Sequence, residues 1–301
     1  MSELDRKIET AAHRLASARK ITIFSGAGMS AESGIPTFRD PMFGIWKNKF
    51  RMYLFGTPLG WNWIPGFAWS SFRIFYDPIA AAQPNPGHIA IAQIPERLGA
   101  DVLVATQNVD SLHQRAGTPA DRVFEVHGSV YRFRCIKNGH PMEVPRDPFP
   151  DSSPECPVCG SKARPDAVLF SENLDDGVWR SAVGAMKRLG QGDVLIIIGT
   201  SGVVYPAADL PRYAGNGAFL IEINPSRSEL SGMVDLFIGA PGSCLERIVY
   251  RAQEIQRGIT EERGRDESDN GNGRDNKSNY EHGCEDRECG SSESFDAKGM
   301  L

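Results

Sequence analysis

Cysteine is scarce in this chain, with six in 301 residues. That is too few to staple a chain of this length, and the thiols suit a reducing, cytoplasmic setting. Long apolar runs are missing as well. None approaches the roughly 18 residues that a membrane span requires, so no membrane partner is expected. Nor does one sign of charge dominate: 33 Lys and Arg stand against 38 Asp and Glu, a formal net charge of −5. Without a dense basic face, direct nucleic-acid binding is not expected. The opening MSELDRKIETAAHRLASARK lacks the apolar centre of a secretory signal and reads as an amphipathic surface helix. Beyond about Gln256 aliphatic residues thin out in favour of Gly, Ser, Asn, Asp, Glu and Arg. Such a composition does not repay the entropy of ordering, so residues 257–301 are expected to form a disordered tail.

What remains is a well-supplied core, with 41% hydrophobic residues. Its organising stretch runs from Ile21 to Asp40, ITIFSGAGMSAESGIPTFRD. The β-branched Ile21-Thr22-Ile23-Phe24 reads as a buried parallel strand. Ser25-Gly26-Ala27-Gly28-Met29-Ser30-Ala31 then fits G-x-G-x-x-A between a strand and a helix start, the pattern of a dinucleotide phosphate loop. An ordinary NAD site places an acidic residue about 20 positions further on. Here Gly34 and Pro36 break regular structure at once, so Pro36, Phe38 and Arg39 are expected in a loop lying over the dinucleotide.

Further strands deliver polar groups to what should be one edge of a sheet. Asp101–Thr106 leads into Gln107-Asn108-Val109-Asp110, whose amides and carboxylate are costly to bury without polar partners; a carboxamide ligand supplies them. Val123–Gly128 ends on His127 before a glycine, a position that exposes an imidazole to a cleft. Asp193–Ile198 runs into Gly199-Thr200-Ser201, small hydroxyl groups suited to ribose or phosphate oxygens. Leu220–Asn224 is a last central strand. Between them lie an aromatic insertion over residues 41–83 and a second insertion over 130–170. The latter holds Cys156-Pro157-Val158-Cys159, a zinc-knuckle spacing, opposite a lone Cys135. His140 either completes a Cys3His set for a structural Zn2+, or the lobe holds by packing alone.

The string GAGMSAESGIPTFRD resembles the signature of the sirtuins, the NAD-dependent protein lysine deacylases, and QNVD, HG, GTS and IEIN repeat that resemblance in order. It covers about residues 8–252 within an expected catalytic domain of residues 1–256. The expected fold is a doubly wound, Rossmann-like α/β parallel sheet with a small helical and zinc-ribbon-like lobe formed by the two insertions. Gly44-Ile45-Trp46 resembles the family's cofactor loop. The resemblance implies that Asn108 and Asp110 grip the nicotinamide amide and that Gln107 lies near the ribose. Gly26, Ala27, Gly28, Ser30 and Arg39 would hold phosphate and ribose, with Asn224 at the adenosine. His127 would be the general base. It also implies that Val168, Phe170, Ser171 and Glu172 belong to a segment that pairs with the substrate peptide, with Ser171 where the family has glycine.

The implied reaction consumes NAD. The acyl oxygen takes the ribose carbon as nicotinamide leaves; His127 then accepts a ribose hydroxyl proton, and water completes transfer to O-acyl-ADP-ribose and free lysine. The expected partners are acylated lysine side chains of proteins. Alternatives are longer apolar acyl groups or mono-ADP-ribosyl transfer. Family members that take succinyl groups resemble one another in a Tyr-x-x-Arg pair. Here Tyr76 is present but Ile79 occupies the arginine position, which predicts a preference for non-acidic acyl groups.

Overall fold

The computed structural model describes residues 1–36 and 55–271, with side chains described through residue 261. Phe38, Arg39 and the Gly44-Ile45-Trp46 string lie outside the described residues. Contacts divide the chain into two units, Met1–Ile259 and Thr260–Leu301, and the sheet, the lobe and the site below all belong to the first.

A six-stranded parallel sheet forms its centre. The strands are β1 (Lys20–Ser25), β2 (Asp101–Thr106), β3 (Val123–Glu125), β7 (Val194–Ile198), β8 (Phe219–Asn224) and β9 (Leu236–Gly239). Their order, β3-β2-β1-β7-β8-β9, is doubly wound, and chain direction reverses its progression between β1 and β7. Ligands of such sheets bind outside the carboxyl ends of the strands at that switch point. The expected fold is therefore the observed one.

Alternation along the strands explains the two layers. Ile21 and Ile23 of β1 join Val102, Val104, Ile196 and Ile221 beneath α1 (Glu3–Ser17), α4 (Pro86–Leu98) and α7 (Cys244–Gly271). Phe24, Ala105, Leu195 and Ile197 face the other way, toward α6 (Asp176–Lys187) and the 3-10 helix Ala207–Tyr213. Both faces are covered, so the strands read as continuous apolar runs. Helix α4 begins as its sequence dictates: Pro86 occupies the first turn, and the Asn85 side chain accepts from the Gly87 and His88 amides.

A third core joins the two insertions. Trp61 of α2 (Pro58–Trp63) and Trp69, Phe72, Tyr76 and Ile79 of α3 (Pro65–Ala81) pack against Val130 and Phe133 of β4 (Gly128–Cys135) and Ala163 of β6 (Ala163–Ala167). Strand β4 pairs antiparallel with β6 and with the short β5 (Pro141–Met142). Most of the described insertion aromatics thus fill a core: Trp69 stacks on Phe149 at 5.2 Å and Tyr76 on Phe149 at 4.2 Å.

Two details differ from expectation. Across the described residues that directly follow the glycine loop, Ala27–Met29 and Ala31–Ser33 are 3-10 turns rather than the start of an α-helix, closed by Gly34 in the left-handed region. Helix α7 also continues to Gly271, past the expected start of disorder at residue 257. Its Glu- and Arg-rich extension propagates from a docked helix, so no new nucleus has to form.

Candidate active site

The polar residues collected by the sheet meet at its carboxyl edge. Gly26 does not need its glycine for a left-handed turn, since its backbone is extended. It needs it for proximity: a Cβ there would lie 2.8 Å from Thr200 Cβ, and one at Gly28 would lie 2.8 Å from Gly199 Cα. The loops after β1 and β7 therefore close on each other directly. The Gly26 amide donates to Ile198 O, Gly28 to Gly199 O at 2.7 Å, and Met29 to Gly26 O. These amides are spent inside the protein, fewer than a helix N-terminus would leave for a phosphate. Ala27 and Gly28 are partly exposed at this junction, as is Pro36 beyond the 3-10 turns.

Ser30 is buried and turned toward the β2 loop. Its hydroxyl donates to Asp110 Oδ2 at 2.7 Å and accepts from Asn108 Nδ2 at 3.0 Å. Asn108 Nδ2 also donates to Gly26 O at 3.1 Å, and Asp110 Oδ1 accepts the Leu112 amide at 2.9 Å. Burial pushes the Asp110 carboxyl above its usual range, and the Leu112 and Ser30 donors hold it back. Such fixed carboxamide and carboxyl groups, buried at a strand end, form a rigid polar wall. Thr200 Oγ1 donates to Gln107 Oε1 at 2.7 Å, and Asn224 Nδ2 donates to Thr200 O at 3.0 Å and to the buried Glu222 at 2.8 Å. Ser201 accepts the Glu229 amide through its carbonyl. One network thus runs from Asn224 through Thr200 to Gln107.

His127 sits in the turn between β3 and β4, partly buried. Its Nδ1 is 2.9 Å from Gln107 O. A carbonyl only accepts, so Nδ1 carries the proton and Nε2 is the basic nitrogen. Burial lowers the imidazole below its ordinary pKa, partly offset by the Gln107 carbonyl. The next residue must be glycine: Gly128 has φ +74°, and a Cβ would lie 2.0 Å from Asp166 O.

Val168 donates its amide to His127 O at 2.9 Å, so the expected substrate segment is tied to the histidine turn. Phe170 donates to Gly56 O at 2.7 Å and exposes its ring beside an open hollow of about 490 Å³ lined by Thr57, Leu59, Trp63 and Ser171. Glu172 braces this turn: it pairs with the buried Arg164 at 2.6 Å and accepts the Leu169 amide at 3.0 Å. Ser171 has φ +73°, the left-handed region that costs a residue with a Cβ about 1–2 kcal/mol. Ser171→Gly is accordingly expected to raise unfolding stability by about 1 kcal/mol in urea titration; an unchanged midpoint would mean that the serine hydroxyl offsets the strain.

In the lobe, Cys135, His140, Cys156 and Cys159 converge, their ligand atoms all within 4.8 Å of one another. Cys135 Sγ lies 3.7 Å from Cys159 Sγ, and Cys156 Sγ lies 3.5 Å from His140 Nδ1. A tetrahedral Zn2+ with sulfur at about 2.3 Å and nitrogen at about 2.0 Å has edges of nearly these lengths. The residues fit a structural zinc, with His140 Nδ1 in place of a fourth thiolate. The Gly139 amide donates to Cys135 O and the Gly160 amide to Cys156 O, which shapes both turns around that point.

Sequence reasoning passed over two buried histidines. His88 and His113 meet edge-on, with ring centroids 5.0 Å apart. A lone histidine in a helix carries no signal; the polar partner of His113, Ser25, comes from β1.

A doubly wound sheet with such an edge, joined to a Cys3His lobe, defines a nucleotide-dependent enzyme rather than a scaffold. Residues 26–206 match the Sir2 family. Over 245 residues the chain is 43% identical to NAD-dependent protein deacylase 2 of Pyrobaculum aerophilum, covering 81% of this chain and 94% of that protein. Among solved structures it is similar to a Sir2 homologue–NAD complex, with a TM-score of 0.70, 35% identity, and coverage of 82% and 94%. It is also similar to a Sir2 histidine variant with a deacetylated p53 peptide and 3′-O-acetyl-ADP-ribose, with a TM-score of 0.66, 31% identity, and coverage of 80% and 96%. The chain belongs to the Sir2 family.

Proposed function

We propose that this chain is an NAD-dependent protein lysine deacetylase that converts acetyl-lysine and NAD to free lysine, nicotinamide and O-acetyl-ADP-ribose. The observation that carries the reading is the fixed wall of Asn108, Asp110 and Ser30 at the switch point, adjoining a histidine whose Nδ1 is bonded to Gln107 O. A wall of one carboxamide and one carboxyl suits a departing amide group. Gly26, Ala27, Gly28, Gly199, Thr200, Ser201 and Asn224 would line the rest of the dinucleotide site. Pro36, Phe38 and Arg39 would lie over it. His127 Nε2 accepts the ribose hydroxyl proton, so that the oxygen attacks the carbon derived from the acyl carbonyl. The Val168–Glu172 segment presents the substrate peptide, tied to His127 by the Val168 amide. Zinc bound by Cys135, His140, Cys156 and Cys159 would close the lobe and take no part in the chemistry. A reducing cytoplasm suits thiols kept as zinc ligands.

Acyl preference follows from the lobe core. Tyr76 and Ile79 are buried among aromatic rings. Arg73 projects to the surface and pairs with Asp151, and Asp77 is exposed one position beyond Tyr76. No arginine in this stretch is directed to an acyl carboxylate. Acetyl peptides are therefore expected to exceed succinyl peptides by at least about tenfold in kcat/KM, the equivalent of one charge-assisted hydrogen bond. Parallel assays on both peptides test this; equal or faster turnover of the succinyl peptide would refute it.

A further inference from the structure

Behind the nicotinamide wall lies a buried chain of side chains that the reaction does not itself use. His113, in the short helix α5 (Leu112–Arg115), is fully buried, and its Nε2 lies 2.8 Å from Ser25 Oγ. Ser25 Oγ donates to Thr106 Oγ1 at 2.8 Å, across the register pair at the ends of β1 and β2. Thr106 Oγ1 in turn accepts the backbone amide of Asn108 at 3.1 Å. Thr106 accepts from Ser25 and from the Asn108 amide, an arrangement in which Ser25 takes its proton from His113 as the Nε2–H tautomer.

Both histidines are neutral in this setting. Burial holds His88 down to about 4, and pushes His113 well below its ordinary value with help from His88. Among the described residues, His113 Nδ1 and both His88 nitrogens have no hydrogen-bond partner. Packing alone does not account for this arrangement. An apolar ring at position 113 would leave nothing unpaired on its own side, whereas a histidine introduces an unsatisfied buried nitrogen, which is unfavourable. The one polar contact that His113 gains is the proton it gives to Ser25. That proton fixes which way both hydroxyls point, and so keeps a Thr106 lone pair on the Asn108 amide.

We propose that His113 is a positioning residue for the nicotinamide end of the site, acting through Ser25 and Thr106 on the backbone of Asn108. This rests on the deacetylase reading above. The Asn108 side chain is already held by Gly26 O and Ser30. With its amide nitrogen held as well, the residue is pinned at both ends and cannot rotate as the amide departs. The same chain anchors Ser25, which directly precedes Gly26, so the two loops that meet nicotinamide are set by one group. Sites that act by orientation lose rate from displacements of about 1 Å.

The test separates orientation from general weakening. Thr106→Val keeps the shape of the residue and removes the hydroxyl; Thr106→Ser keeps the hydroxyl; His113→Phe removes the donor. Three quantities are read for each: half-inhibition by added nicotinamide, the Kd of ADP-ribose, which lacks the amide, and the Tm. Thr106→Val and His113→Phe are expected to raise the nicotinamide needed for half-inhibition by fivefold or more, with ADP-ribose Kd within twofold of wild type. Thr106→Ser should stay within twofold on both counts. If His113→Phe does not fold, the Thr106 pair decides. Unchanged nicotinamide inhibition in Thr106→Val overturns the proposal. So does ADP-ribose affinity that falls in step with it, or a Thr106→Ser variant as impaired as Thr106→Val. A wild-type protein that nicotinamide does not inhibit would instead overturn the deacetylase reading, and the proposal with it.

Discussion

His127→Ala is expected to cut acyl-lysine turnover by about 10²- to 10⁴-fold while NAD still binds within a few-fold of wild type. The reasoning rests on which nitrogen is free. Nδ1 is committed to Gln107 O at 2.9 Å, so alanine removes only the basic Nε2 and an orienting hydrogen bond. The Asn108, Asp110 and Ser30 contacts do not pass through the imidazole and should survive. Without a base, the ribose hydroxyl keeps its proton and the acyl adduct stalls. The pH profile carries the same signature. Burial lowers the His127 pKa, so the neutral, proton-accepting form persists below pH 6.5. The acid limb of kcat/KM should accordingly lie below that value. Deacylation by His127→Ala within tenfold of wild type would remove this residue from the base role.

The second large effect concerns zinc. Purified protein is expected to carry close to one equivalent of zinc, and chelation should unfold the lobe built on β4 and β6. Structural zinc in small modules contributes about 10–16 kcal/mol of apparent binding free energy at neutral pH, most of it folding free energy. The lobe core includes Phe133, Val130 and Ala163, which lie on the strands that the ligand turns close. Losing the metal therefore loosens the packing around Trp69 and Tyr76 as well. His140→Ala should weaken zinc by more than about 100-fold, beyond what loss of a supporting group costs. His140→Cys should retain it. Metal analysis together with near-ultraviolet circular dichroism before and after chelation gives the answer. A folded, active and zinc-free protein would show that these four side chains meet without a metal. Full zinc affinity in His140→Ala would exclude the histidine.

Much of this arrangement was legible from the chain alone, for physical reasons. Ile21–Phe24 and Val194–Ile198 are buried on both faces, so each reads as an unbroken apolar run that a parallel sheet requires. Asn85 and Pro86 mark the start of α4 by local capping chemistry. His140 could be singled out because Cys156 and Cys159 demand ligands at a known spacing. What the chain hid was non-local. The need for glycine at positions 26 and 28 comes from Gly199 and Thr200, far away in sequence, rather than from the backbone turn that a motif suggests. His113 and Ser25 look unremarkable until β1 and β2 align Ser25 with Thr106. Glu172 read as a substrate contact, yet its carboxylate is engaged by Arg164 and the Leu169 amide, which only the folded turn reveals. The extension of α7 to Gly271 leaves no hydrophobic signal in the chain, since it rests on helix propensity and continuity with the preceding turns.

The most direct measurement of the central claim is mass spectrometry of an acetyl-lysine peptide incubated with the protein and NAD. The account predicts deacetylated peptide, nicotinamide and O-acetyl-ADP-ribose in equal amounts, with no product when NAD is omitted. ADP-ribose attached to protein with the acetyl group intact, or deacetylation that proceeds without NAD, would contradict it.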